Sequence, residues 1–120
     1  MFEDPFLFFD KAAQRWRCLL HEYTLKGGNT PAHHLGGAAV SLTPYLLGAW
    51  RALQNHSTPA YTLQATDTAG NTEMFSRRER PKLLIDAYGR PEVLFTAVCP
   101  GNPKGDGLCY THAHRIKSYM

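Results

Sequence analysis

One eight-residue pattern constrains this chain more than its composition does. Glu3-Asp4-Pro5-Phe6-Leu7-Phe8-Phe9-Asp10 returns as Glu79-Arg80-Pro81-Lys82-Leu83-Leu84-Ile85-Asp86, the two sharing Glu-x-Pro-x-Leu-x-x-Asp. Each copy leads through a short turn into a second strand-like run, Arg17-Cys18-Leu19-Leu20-His21 and Glu92-Val93-Leu94-Phe95-Thr96. Proline cannot donate to a β-ladder, so it belongs at the first residue of a strand. A polar residue just before it then sits where the sheet opens to solvent. Recurring hairpin units point to a solenoid or propeller, in which each unit buries its face on its neighbour. In a propeller the innermost strands line a channel, and acidic residues at their starts gather around one axis.

Glycine and proline cut the rest of the chain into short pieces. Phe6 to Phe9 reads as a strand ending at Asp10. From Arg15 to Thr24, Trp16, Cys18 and Leu20 alternate with Arg17, Leu19 and His21, the period of a half-buried strand. Lys26 to Pro31 is a turn, Ala60 to Ala65 a strand, and Asp67 to Thr72 a turn built on Gly70-Asn71. Lys82 to Ile85, the turn Tyr88-Gly89-Arg90-Pro91 and Glu92 to Val98 form a hairpin. The tail from Leu108 to Tyr119 holds one more strand. Gly36 to Leu42 reads as strand, but Thr43-Pro44 is a helix N-cap with proline at the first helical position. Leu46, Leu47, Trp50 and Leu53 follow at helical spacing, so one short helix is expected near 44–54. The expectation is one mostly β domain with two adjacent antiparallel, blade-like sheets of a partial β-propeller. The first spans 1–72, and the second, incomplete, spans 73–120.

With 120 residues, 43% of them hydrophobic, the chain can bury a core of its own. Thirteen Lys and Arg stand against ten Asp and Glu, a formal +3 without a basic stripe, which argues against a nucleic-acid partner. The uncharged runs Leu35 to Trp50 and Gln54 to Gln64 are broken by Gly, Pro, Ser or Thr, and neither reads as a membrane span. The chain begins in mid-strand without a basic n-region, so an incomplete chain is expected and no signal peptide is read. Of Cys18, Cys99 and Cys109, the last two flank the loop Pro100 to Gly107 and could bridge across it. Unpaired or buried thiols are nonetheless the expectation, because such bridges are rare in reducing compartments. His33-His34 and His112-Ala113-His114 have no carboxylate at ligand spacing, so neither a metal nor any other cofactor is expected.

Taken in order, Glu3 to Asp10, the strand ending Leu19-Leu20-His21, Gly36-Gly37-Ala38-Ala39-Val40-Ser41 and Arg78-Glu79-Arg80-Pro81-Lys82-Leu83-Leu84 resemble the five-bladed β-propeller glycosidases, glycoside hydrolase family 43 and its relatives. The resemblance covers most of residues 3 to 98. It implies part of an inverting hydrolase of plant-type polysaccharide side chains, with carbohydrate as partner and secretion as its setting. Such enzymes use three acidic residues: a base, a tuning Asp and an acid Glu. Asp4 matches the tuning position and Glu79 the acid, while no residue matches the base; were Asp4 the base, the tuning Asp would be missing instead. Glu3, Arg78 and His21 are implied as substrate-binding. Ala38 stands where relatives carry His, and the stretch from Ser41 to Trp50 is longer than theirs and lacks their Asp.

An inverting enzyme needs a protonated carboxyl to donate to the leaving oxygen and an ionised one about 6.5–9.5 Å away to activate water. Asp4 and Glu79 are therefore expected at the same end of two sheets, facing a shared cleft. Alternation along a strand turns Arg78 and Arg80 away from Glu79. Trp16, Trp50, Tyr61 and Phe75 could stack on sugar rings, but strand-spaced aromatics are commonly core. Asp10 and Asp86 read as turn residues. With one acidic position missing, the chain alone is expected to be inactive, and open sheet faces would favour self-association. The alternative is a non-catalytic β-rich module for carbohydrate binding or interaction.

Overall fold

The computed structural model describes residues 2–22, 35–53, 60–100 and 108–116. The strands are β1 (Phe2–Asp10), β2 (Arg15–Glu22), β3 (Leu35–Ser41), β4 (Trp50–Ala52), β5 (Gln64–Thr66), β6 (Thr72–Ile85), β7 (Pro91–Pro100) and β8 (Tyr110–Arg115). They form two four-stranded antiparallel sheets in chain order, β1-β2-β3-β4 and β5-β6-β7-β8. The fold is mostly β, with blade-like sheets, and no helix occurs among the described residues. The sheet boundary lies between Ala52 and Gln64, ahead of the expected division at 72, because β5 pairs with the start of β6. The turn at Lys26–Pro31 and the His33-His34 pair lie outside the described residues.

The sequence repeat is also a repeat of backbone geometry. In the first sheet Glu3 faces His21 and Phe6 faces Leu19, so three steps on β1 match two on β2. In the second, Glu79 faces Ala97 and Lys82 faces Phe95, the same mismatch. Each is a one-residue β-bulge, and the residue between Glu and Pro takes positive φ in both: 53° at Asp4 and 54° at Arg80. A bulge bends its strand and re-aims the side chains beside it. Two further register shifts, between Phe75 and Arg77 and between Leu84 and Ile85, curl the second sheet along the 14-residue β6. The first of them, with the bulge at Arg80, replaces the two-residue rhythm, so that Phe75, Arg78 and Pro81 become the buried positions of β6. Phe75, Val98 and Ala65 form the buried apolar centre beneath that curl.

Three hairpin turns use one device. Asp10 accepts from the Ala13 amide at 3.0 Å and pairs with Arg17 at 2.6 Å. Asp86 accepts from the Tyr88 and Arg90 amides at 2.8 and 2.9 Å and pairs with Arg90 Nε at 2.9 Å. Asp67 accepts from the Ala69 and Asn71 amides at 2.9 and 2.8 Å and from Asn71 Nδ2 at 2.9 Å. An aspartate here imitates the backbone of the turn it closes. Gly70 and Gly89, at φ 88° and 81°, supply left-handed positions in two of these turns.

Two expectations are corrected. The described residues of the expected helix, 44–53, do not form one: positions 42–48 make an exposed bend, and Trp50–Ala52 is β4. Ser41 Oγ accepts from the Trp16 amide at 2.9 Å and donates to Thr43 O at 2.7 Å, and the Leu42 amide reaches Ala49 O. These bonds close a loop where a helix would begin. The helically spaced Leu46 and Leu47 are 40% and 87% exposed, so no apolar face rewards that period. Nor are the cysteines all unpaired, since Cys99 and Cys109 form a disulfide and Cys18 alone is a buried thiol. The cause is register: Val98 faces Tyr110 on the β7–β8 hairpin, which makes 99 and 109 the next facing positions.

The sheets are tied by the segment after residue 59. The Gly36 amide donates to Tyr61 O at 2.9 Å, the Ala60 amide donates to Gly36 O at 2.6 Å, and a Cβ on Gly36 would overlap the Tyr61 ring. Gly36→Ala is expected to lower stability by about 1–3 kcal/mol, read from the urea midpoint. The turn aspartates generate a second expectation. Asn71 and the turn amides hold Asp67 low, and the Arg90 amide and guanidinium hold Asp86 low. At Asp10, partial burial pushes upward, but the Ala13 amide and Arg17 outweigh it, and the net shift is down. A carboxyl lowered on folding contributes stability above its unfolded value of about 3.9, and loses it as pH falls through the folded value. The melting temperature should therefore hold from about pH 5 to 8 and fall below about pH 4. Asp86→Asn should melt lower at pH 7 and show a shallower acid fall.

Candidate functional site

The two bulges aim their glutamates at one point between the sheets. His21, on β2, is fully buried, and its Nδ1 lies 3.0 Å from Glu3 Oε1 and 4.0 Å from Glu79 Oε2. One ligand-capable atom from each of the three falls within 4.8 Å of the others. Glu3 and Glu79 hold the same position in the repeat, and His21 is the cross-strand partner of the first copy. The second copy has Ala97 there. One histidine thus serves two equivalent carboxylates. The glutamates differ in exposure, 44% for Glu3 and 19% for Glu79, so the cluster opens to solvent on the Glu3 side.

Asp4, half-buried, belongs to the same neighbourhood. Burial pushes the Tyr61 phenol far above its ordinary value; Arg78 opposes that shift, and the negative charges of Asp4 and Glu79 add to it. Asp4 and Glu79 therefore both act on one buried ring. Repeat position separates them, because Asp4 corresponds to Arg80, and Glu3 is the true counterpart of Glu79. The nearest Glu3 and Glu79 oxygens are closer than the spacing that holds a sugar ring and a water between an inverting pair. Those two carboxyls cannot divide the acid and base roles of inversion between them.

Arg78 has a different place from the substrate-facing one expected. It is 3% exposed. Its Nε donates to Thr96 Oγ1 at 3.2 Å, and Nη1 donates to Thr62 O at 3.0 Å and Gln64 O at 3.4 Å. The guanidinium carbon lies 5.2 Å from the Tyr61 ring centroid, over its face. Burial pulls the guanidinium below its ordinary value, and Tyr61 opposes this. Arg78 thus stands behind the cluster and clamps the approach to β5 onto β6. Among the aromatics, Tyr61 and Phe75 are buried and Trp16 packs edge-on against Phe9, while half-buried Trp50 borders a shallow apolar hollow with Leu7, Cys18, Ala39 and Leu46. Sequence reasoning named every member of the cluster except Tyr61, which it read as core or a stacking platform. Gly36 was the available signal, because its missing side chain makes room for that ring.

His112 and His114 face a different region. His112 packs edge-on against Phe75 at 5.4 Å, and its Nδ1 is buried without a hydrogen-bond partner among the described residues. Burial, Arg78 and His114 hold it low, against a smaller opposing pull from Glu73. Among the described residues, ligand spacing of three groups is met at Glu3, His21 and Glu79.

No protein-family model, no curated protein and no solved structure matches this chain.

Removing the clamp tests its assigned role. Arg78→Ala leaves the Thr62 and Gln64 carbonyls without their donor, and is expected to cost about 2–3 kcal/mol in a denaturant titration. Arg78→Lys should recover only part of this, because one ammonium cannot reproduce the fork that reaches Thr96 and both carbonyls.

Proposed function

We propose that this chain is a pair of propeller-type blades whose junction recognises carbohydrate, and that by itself it does not hydrolyse it. The observation that carries the reading is the convergence of Glu3 and Glu79, equivalent members of the repeated bulge, on the buried His21. In this reading Glu79 occupies the general-acid position and Asp4 the tuning position of a glycosidase related to family 43. Glu3, the exposed member, supplies hydrogen bonds to sugar hydroxyls, while the fully buried His21 orients the two glutamates and Arg78 stands behind the cluster. A substrate would be a plant-type arabinose- or xylose-bearing side chain.

Binding is favoured over inverting hydrolysis by the close approach of Glu3 and Glu79, which leaves no room for the water an inverting base must activate. Asp4 holds the tuning position in this reading, which leaves the base unassigned. Loss of a general acid or base costs about 10²–10⁴-fold in rate. A surface rim of Leu42, Tyr45 and Leu47, all exposed, favours association with another apolar face, including a second copy.

The test has two arms. Purified protein is expected to release no sugar above background from aryl arabinofuranosides and aryl xylosides. In calorimetry it should bind arabinoxylan oligosaccharides weakly, with binding lost in Glu79→Gln. Turnover abolished by Glu79→Gln would show a working hydrolase instead. Absence of binding across arabinose- and xylose-containing oligosaccharides would remove the carbohydrate reading.

A further inference from the structure

We propose that Glu3, His21 and Glu79 form a binding site for one divalent first-row transition metal, of which Zn²⁺ fits best. The inference uses the geometry of the three side chains and does not depend on the carbohydrate reading. Zinc holds nitrogen and oxygen ligands at about 2.0–2.2 Å in a tetrahedral shell, which sets neighbouring ligand atoms about 3.3 Å apart. His21 Nδ1 lies 3.0 Å from Glu3 Oε1 and 4.0 Å from Glu79 Oε2, on either side of that value. All three atoms fall within 4.8 Å, so small rotations of the two glutamates close the shell without moving the backbone.

The donor chemistry narrows the ion. One imidazole nitrogen with two carboxylates suits zinc and its first-row neighbours, whereas Ca²⁺ and Mg²⁺ prefer all-oxygen shells. Charge points the same way. Two carboxylate ligands bring −2, which one divalent cation cancels. The histidine is the fixed element, fully buried on a central strand, while the glutamates reach it from the bulges of both sheets. Three protein ligands leave a fourth position, and the exposure of Glu3 turns it toward solvent, as in zinc sites that take an exchangeable water or ligand.

The test uses the full chain, stripped with a chelator and titrated with Zn²⁺ against a chromophoric competitor at neutral pH. One tight equivalent per chain is expected, with visible d–d bands when Co²⁺ replaces Zn²⁺. Glu3→Gln keeps the shape of a half-exposed side chain, so it tests the site without emptying the core; it and Glu79→Gln should each weaken binding about tenfold or more. His21→Ala should abolish binding, and circular dichroism of each variant reports whether it remains folded. A His112→Gln/His114→Gln variant should bind as the parent does. No Zn²⁺ binding tighter than about millimolar would overturn the proposal. So would tight binding that survives in a folded Glu3→Gln/Glu79→Gln double variant, or that disappears with His112 and His114.

Discussion

The one-residue bulge at each Glu-x-Pro is the constraint on which the rest of the structure depends. Without it, a regular two-residue alternation would run through β1 and β6, and the side chains after the bulge would exchange faces. The residue before a proline is normally extended, and left-handed φ is disfavoured for any residue with a Cβ. Asp4 and Arg80 nevertheless hold φ 53° and 54°. That strain is tolerated twice in the same setting because a ladder on either side fixes it, and because Pro81 is buried against the curl of the second sheet. The result is local, a single extra residue, but it aims Glu3 and Glu79 together. One kind of backbone irregularity, used once in each sheet, thus accounts for the acidic cluster.

Behind the cluster, the packing runs through a short chain of contacts. Gly36 leaves space for Tyr61, Tyr61 lies under the guanidinium of Arg78, and Arg78 reaches Thr96 on β7 and the carbonyls leading into β5. The first sheet contributes a missing side chain, the second a cation, and the ring between them belongs to the connection. A buried arginine whose acceptors are a hydroxyl and two carbonyls is costly unless each is well placed. Asp4 and Glu79 act on the same ring, whose titration they push upward. The turn aspartates act separately and locally, each closing one hairpin within a few residues.

What the sequence made legible, and what it did not, follows this division between local and distant causes. The strands of both repeat copies, the aspartate turns and the β7 partner could be read because alternation, proline and Asx chemistry are local. The bend at 42–48 was misread because Leu46, Leu47 and Trp50 recur at a helical period that no neighbouring face uses. The Cys99–Cys109 bridge depends on a hairpin register set across the whole loop between β7 and β8, which spacing alone does not fix. At the site, Glu3, Asp4 and Glu79 stand out through the repeat, while His21 and Arg78 enter as expectations from the resemblance. Their arrangement was not, because Asp4 and Arg80 share no side-chain feature that signals a left-handed backbone. Arg78 faces inward only because the preceding shift, between Phe75 and Arg77, changes the rhythm of β6.

The two sheets also differ from their junction in how their contacts are spread along the chain. Each sheet is a meander of neighbouring strands, so its pairings close short loops and form at modest entropic cost. The junction joins residues as distant as His21 and Glu79 and completes itself only when the sheets have docked. A molecule or ion that must touch Glu3 and Glu79 together can bind only the docked arrangement. Mass action then makes occupancy and docking one equilibrium: at a hundredfold excess over its dissociation constant, such a ligand would add about 2.7 kcal/mol to the docked state. Glu3 and His21 on the first sheet, or Glu79 on the second, would alone have no comparable hold.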